Sequence, residues 1–194
     1  MTERQLPENA IMIPDYANCV FRGNIFDVFQ WQQEMFDGSF ETFEMLRRPD
    51  TIIVIALNGD GSIVTQHEFQ PNGIERIDSV PAGRVDPTDE STLAAAKREM
   101  KEETGMEFAD WSLIEVNQPE PKIEWFIHIY LAQDLTSKGE PKHDAGEKIT
   151  VGSSDYDTVR KKFAADSSLL RDMNTLEELL QFADSGRTRG ISRF

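Results

Sequence analysis

Three glutamates, Glu99, Glu102 and Glu103, fall within one and a half turns of a segment made of strong helix formers, "TLAAAKREMKEET". Like charges at that spacing repel and weaken a bare helix by about a few tenths of a kcal/mol per pair. Glu99 and Glu103 stack four residues apart, Glu102 lies just behind them, and Arg98 stands one turn before Glu102, in reach of a salt bridge. Leu93, Ala96, Met100 and Thr104 form the stripe that must be buried, so the acids flank the core face instead of opposing it. Acids on a helix ordinarily make a solvated face. Acids that flank a buried stripe are pressed against the rest of the protein. Clustered carboxylate oxygens there suit a hard cation, Mg²⁺ or Mn²⁺, which takes carboxylates, a carbonyl and waters.

The elements around this helix must position the acids. Ser91 or Asp89 can cap its start, and Gly105 ends it. Before it, "VPAGRVDP" supplies a strand end, Pro81, the small Ala82 and the permissive Gly83. That backbone freedom lets a carbonyl such as that of Ala82 point at the same cation.

Along the chain, residues 1–15 read as a polar tail. Asn18 to Leu46, with turn signals at Gly23 and Gly38, read as an antiparallel β-meander or hairpin. "TIIVIALN" reads as a buried strand, with "SIVTQHEF" as its hairpin partner, and "IERIDSVPAG" as a short strand ending at Pro81. "WSLIEV" and "IEWFIHIYLA" are strands, "TSKGEPKHDAGEK" a loop and "ITVGSS" a short strand. "DYDTVRKKFAAD" and "LLRDMNTLEELLQFAD" read as two closing helices. The order predicts an α/β sandwich and not a regular βαβ alternation.

Composition bounds the function. The 194 residues fit one ordinary domain, with 39% hydrophobic residues for a core. The net charge of −15 argues against a nucleic-acid or anionic-membrane surface, while leaving open a phosphate ligand that cations bridge. Cys19 is the only cysteine, which excludes an internal disulfide and a cysteine zinc site and points to a reducing, cytoplasmic compartment. The N-terminus has no basic flank and apolar core of a signal peptide, and no run approaches a membrane span.

The stretch from Gly83 to Met106 resembles the Nudix box, Gly-x5-Glu-x7-Arg-Glu-U-x-Glu-Glu-x-Gly-U, U being aliphatic. Gly83, Glu90, Arg98, Glu99, Met100, Glu102, Glu103, Gly105 and Met106 fill the slots. Asp89 sits at the strict spacing from Gly83, but Glu90 is correct relative to Arg98, which reads as a one-residue loop insertion. The resemblance implies a Nudix α/β/α sandwich with a mixed sheet and a β-rich N-terminal extension. It also implies hydrolysis of a nucleoside diphosphate linked to another moiety. By slot, Glu99 and Glu103 become primary metal ligands, Glu102 a further ligand or water-positioner, and the Ala82 carbonyl completes the set. Arg98 and Glu90 orient the carboxylates.

The wider layout resembles the ADP-ribose pyrophosphatase group. That group carries a proline about fifteen residues after the box, where Pro121 stands, and a loop glutamate serving as base or ligand, where "DAGEKITV" offers Glu147. Two departures bear on the substrate. Gln70 stands where an arginine often contacts the ligand, and Ser79 where the usual lead-in has glutamate. Other nucleotide sugars, GDP-sugars among them, therefore remain open.

Members of the group commonly pair as dimers through the N-terminal β region, whose aromatics can help hold the base. Phe26, Phe29 and Trp31 are placed for that role, although core or dimer contacts are the plainer role for each. Arg47 and Arg48 are placed to meet phosphate or base. His128 reads as a strand residue, and His143 as a loop residue near Glu147. The division expected is residues 1–50 as tail, meander and dimerisation region, 51–185 as the hydrolase domain and 186–194 as a tail. The leading expectation is Mg²⁺-dependent cleavage of ADP-ribose or a related nucleoside diphosphate sugar. A housecleaning hydrolase of nucleoside triphosphates and a non-hydrolytic ADP-ribose sensor stand as alternatives. The N-terminal extension argues against the first, and the intact box carboxylates against the second.

Overall fold

The computed structural model describes residues 4–143, 145, 146, 148–166, 178, 180, 181, 184 and 185. Its centre is a mixed four-stranded sheet in the order β7 (Ala82–Arg84), β4 (Thr51–Ala56), β10 (Ile127–Lys138), β8 (Met106–Asn117). Strands β4 and β10 run parallel, and the outer two pair antiparallel to them. Successive side chains on a strand point to opposite faces, and both central strands are apolar on both faces. Ile52, Val54, Ala56, Tyr130 and Ala132 pack with Ala95, Ala96 and Met100 of helix α1 (Thr92–Thr104). Ile55, Ile129 and Leu131 pack on the other face with Val159 of helix α2 (Tyr156–Asp166). Continuous apolar runs thus follow from helices covering both faces, and each fully buried aliphatic contributes about 1.5–3 kcal/mol.

A second sheet, β11 (Lys148–Ser154), β5 (Ile63–Phe69), β6 (Glu75–Ser79), is antiparallel throughout. The third is the N-terminal meander of β1 (Asn18–Arg22), β2 (Asp27–Glu34) and β3 (Phe40–Arg47), extended by β9 (Ile123–Glu124). Gly38 turns between β2 and β3 at φ 84°, where a side chain would be strained.

Helix α1 starts and stops as its sequence predicts. The Ser91 hydroxyl accepts a 3.1 Å hydrogen bond from the Ala94 amide, and Gly105 closes the helix at φ 71°.

Four local expectations are corrected. Strand β5 is not a ladder neighbour of β4: beyond the isolated bridge Leu57–Ile63 it enters the second sheet between β11 and β6. "IEWFIHIYLA" is split, because Ile123 and Glu124 join β3 while β10 begins at Ile127 and runs on to Lys138, into the expected loop. Strand β8 starts at Met106, since Met106 and Phe108 both pack into the core against α1. Residues 4–15 are tied down: Ile13 is buried with Phe29, Trp31 and Met45, and Arg4 pairs with Asp50 and Glu124. Most of the second closing helix lies outside the described residues, and of it Glu178, Leu180, Gln181 and Asp184 are helical.

Candidate active site

The acids of α1 differ sharply in burial, with Glu103 5%, Glu99 16% and Glu102 46% exposed. Glu103 belongs to the buried stripe itself. Its Oε2 accepts from the Ala82 amide at 3.2 Å and from the Gln66 side-chain amide at 3.3 Å. Glu99 lies against Gly83 so closely that a Cβ there would collide with its carboxylate. The Pro-Ala-Gly loop and the two innermost acids therefore meet at one point, and only glycine permits it.

Arg98 offsets the repulsion among the acids. Its Nη1 donates to Glu99 at 2.9 Å and to Glu102 at 3.0 Å. Nε and Nη2 donate to the two oxygens of Asp89 at 3.0 and 2.8 Å, and Nη2 also reaches the Arg84 carbonyl at 3.0 Å. The Asp89 hydrogen bond is the largest cause raising the Arg98 pKa above its ordinary value, and burial opposes it. Asp89 is thus an acid that holds Arg98 directly. The reason is local: Ser91 takes the cap, and Asp89 folds back to accept the Asp86 amide at 2.8 Å, closing the loop beneath the guanidinium. That bond pattern keeps the strict spacing from Gly83.

Whether these residues suit a cation can be judged from the donors. Glu99, Glu102, Glu103 and the Ala82 carbonyl offer only oxygen, the choice of Mg²⁺, Mn²⁺ or Ca²⁺. Glycine at 83 keeps the space beside Glu99 clear of a side chain. Among the described residues no three acids or histidines are gathered as a coordination sphere, because Arg98 draws Glu99 and Glu102 toward itself. The donor chemistry fits a hard divalent cation.

Beside this point a cavity of about 690 Å³ opens between the central and second sheets. One wall carries Arg48 and Arg84, and the other carries Gln66, Glu68, Gln70 and Arg76. Arg48 lies over the Trp125 ring at 4.5 Å and near the Phe26 ring at 5.5 Å, with its Nε buried and unpartnered. Burial and the neighbouring Arg84 charge both lower its pKa. Trp125 is fixed in turn by a 2.9 Å hydrogen bond from its indole to the Thr51 hydroxyl.

The residues expected to touch substrate separate. Arg48 and Gln70 line the cavity, and Phe26 stands beside Arg48. Arg47 is outside the lining, donating from Nε and Nη2 to Glu124 at 3.0 Å each and lying over Phe29. Phe29 and Trp31 are core. Pro121 is exposed on the loop between β8 and β9, apart from the lining. Glu147 lies outside the described residues. His128 is a buried strand residue 3.4 Å from Asp50, and His143 reaches the Glu103 carbonyl at 3.0 Å. Gln66, Glu68, Arg76, Arg84 and Lys162 are lining residues that the sequence reading missed. The available signal for two of these positions was their spacing: Gln66 and Glu68 stand four and two residues before Gln70 and so share its face of the chain.

A helix-covered mixed sheet carrying a carboxylate helix behind a Pro-Ala-Gly loop defines one class of α/β protein. The NUDIX domain profile matches residues 47–168, and the chain belongs to that family. It is 26% identical over 132 residues to an ADP-ribose pyrophosphatase of Mycobacterium tuberculosis, covering 67% of this chain and 64% of that protein. To an ADP-ribose pyrophosphatase of Bacillus subtilis it is 25% identical over 134 residues, 68% of this chain and 72% of the relative. A methanol dehydrogenase activator of Bacillus methanolicus is 27% identical over 121 residues, 61% of this chain and 64% of that protein. The match thus spans a little under two-thirds of the mycobacterial relative. The crystal structure of an ADP compounds hydrolase shares the fold, with TM-score 0.57 at 19% identity over 94% of this chain and 93% of that one.

Proposed function

We propose that this protein is a divalent-cation-dependent pyrophosphohydrolase. It cleaves ADP-ribose, or a closely related nucleoside diphosphate sugar, to a nucleoside monophosphate and a sugar phosphate. The observation that carries the reading is the meeting of Glu103 and Glu99 with Ala82–Gly83 at the edge of a cavity walled by Arg48, Arg76 and Arg84. Carboxylates beside a cavity whose lining includes Arg48, Arg76 and Arg84 suit a polyanion bridged to the protein by metal. Membership of the NUDIX family and likeness to two ADP-ribose pyrophosphatases support the substrate class.

Glu99, Glu102, Glu103 and the Ala82 carbonyl would hold Mg²⁺, with Mn²⁺ as substitute. The cation would supply neutralisation of the pyrophosphate and a water of lowered pKa. Gln66 and the Ala82 amide keep Glu103 in one rotamer, and Arg98, braced by Asp89, orients Glu99 and Glu102. Arg48, stacked on Trp125, presents a fixed guanidinium to a phosphate or base, with Phe26 beside it. Glu147 accepts the proton of the attacking water. Gln70 and Arg47 shape the site from its margins, and Pro121 would act only in a partner's site. The exposed apolar side chains Val20, Phe21, Ile25, Phe36 and Phe40 favour a homodimer through the residue 1–50 region, with 51–185 as the hydrolase domain. A cytoplasmic setting accords with the single cysteine, and no described helix is long and apolar enough to cross a membrane.

The test is product analysis across ADP-ribose, GDP-mannose, UDP-glucose, NADH, diadenosine polyphosphates and nucleoside triphosphates, with Mg²⁺ and then Mn²⁺. AMP and ribose 5-phosphate from ADP-ribose are the expected products. Preference for triphosphates would establish the housecleaning alternative. Binding of ADP-ribose without turnover under either cation would establish the sensor.

A further inference from the structure

Strand β5 carries Gln66 and Glu68 at alternate positions, and Gln70 follows directly on its end in the same spacing; all three line one cavity. Alternation puts them on one face of the strand. Gln66 is 2% exposed and Glu68 7% exposed, which is unusual for such residues unless their polar atoms are satisfied. Glu68 is satisfied on both oxygens: Gln70 donates at 2.5 Å and Arg76, from β6, at 2.7 Å. Gln66 is not. Its amide nitrogen donates to Glu103, and that bond fixes which way the carboxamide points, because a carboxylate takes only a donor. Its Oε1 is then left buried with no partner among the described residues. An orphaned buried acceptor is costly to keep, so its presence calls for a donor supplied from outside the fold.

The strip starts at the acid cluster and leads away from it, from Glu103 through Gln66 to Glu68, Gln70 and Arg76. The same cavity is lined by Arg48, which stacks on Trp125 behind it. Across the ladder from Gln66 stands Ser79, a short residue whose hydroxyl donates to the Gln66 carbonyl at 3.1 Å, which gives the long side chain room to reach Glu103. Acceptors on Gln66 and Glu68, with donors on Arg76 and Gln70, match a chain of hydroxyl groups, each able to donate and accept.

We propose that Gln66, Glu68 and Arg76 form the subsite that reads the hydroxyls of the sugar half of a nucleoside diphosphate sugar. The orphaned Gln66 oxygen is the acceptor for the hydroxyl nearest the pyrophosphate. The assignment rests on the hydrolase reading above. It makes this strip the determinant of which sugar is accepted.

The experiment compares ADP-ribose with an adenosine diphosphate alkyl ester, which keeps the nucleotide and pyrophosphate but has no hydroxyls beyond them. For Gln66→Leu, near in size and suited to a buried site, kcat/KM on ADP-ribose is expected to fall about tenfold or more relative to its change on the alkyl ester. Arg76→Met, on a half-exposed side chain, should show the same selectivity, with its melting temperature checking that the fold withstands loss of the Glu68 partner. Equal losses on both substrates in both variants would overturn the subsite, since they would show a structural or metal-positioning role only. If wild type hydrolyses neither compound, the hydrolase reading fails by itself, and calorimetry still decides the subsite. Weaker binding of ADP-ribose alone in the two variants supports it, and equal weakening of both compounds overturns it.

Discussion

Asp89 receives two parallel hydrogen bonds from Arg98, Nε to Oδ1 at 3.0 Å and Nη2 to Oδ2 at 2.8 Å. Arg98 in turn holds Glu99 and Glu102, so Asp89 acts on the acids through one guanidinium. Asp89→Asn should therefore lower kcat or cation affinity by about 10–100-fold, the scale seen when partners of metal-binding groups are removed. Glu90→Gln should cost less on both counts. Kinetics of the two variants as a function of Mg²⁺ checks this, and a larger loss in Glu90→Gln would restore the insertion reading.

Gly83 is needed for contact and not for a turn. A Cβ at this position collides with the Glu99 carboxylate, which must then leave the Ala82–Gly83 loop. Gly83→Ala is expected to fold, with a thermal midpoint near wild type, yet to lose at least about tenfold in activity as Glu99 is displaced. Full activity in that variant would show that the position of Glu99 against the loop does not matter.

Removal of the cation should separate Glu103 from the fold. Chelation is expected to abolish turnover, and Mg²⁺ or Mn²⁺ to restore it. A cation that binds only the native state also raises the melting temperature in proportion to RT ln(1 + [L]/Kd). Glu103→Gln preserves size and both incoming donors' neighbourhood, so the protein should stay folded while activity falls by about 100-fold or more. The cation-induced rise in melting temperature should shrink in the same variant. An undiminished rise would move the cation away from Glu103.

Much of this site was legible because its signals are local. The helix, both its caps and the sequence of acids follow from spacing within α1, and the aliphatic runs of β4 and β10 announced strands covered on both faces. What was not legible depends on pairing between distant segments. Whether β5 turns back along β4 or departs into another sheet is decided by β6 and β11, which lie up to some ninety positions further on in its ladder partners. That Asp89 bonds Arg98 was not legible either, because the bond depends on how the loop before Ser91 folds back. The polar N-terminal segment gave no periodic signal, since what anchors it is one arginine and one isoleucine.

That anchor leads to an acid-stability prediction. Arg4 bonds Asp50 through Nε and Nη2 at 2.8 and 2.6 Å and reaches Glu124 at 3.2 Å, while Arg47 and the Ile13 amide also bond Glu124. Burial alone would raise both carboxyl pKa values. Hydrogen bonds from His128 and Arg4 to Asp50, and from Arg47, Ile13 and Arg4 to Glu124, outweigh it and hold both below the ordinary range. A carboxyl with a depressed native pKa binds protons more weakly folded than unfolded, so it stabilises above its unfolded pKa of about 4 and loses that contribution as pH falls further. The melting temperature should thus hold near neutrality and drop below about pH 4. Arg4→Ala removes a partner of both acids and should cost roughly 1–3 kcal/mol at neutral pH, discounted for the partial exposure of Arg4. It should cost less as pH falls and the acids are progressively protonated. Melting curves of the two proteins from pH 3 to 7 should therefore converge at the acid end. Parallel curves would mean that the junction of the N-terminal segment with β4 and β9 is held by packing, with Ile13 and Phe126 carrying what is here assigned to Arg4.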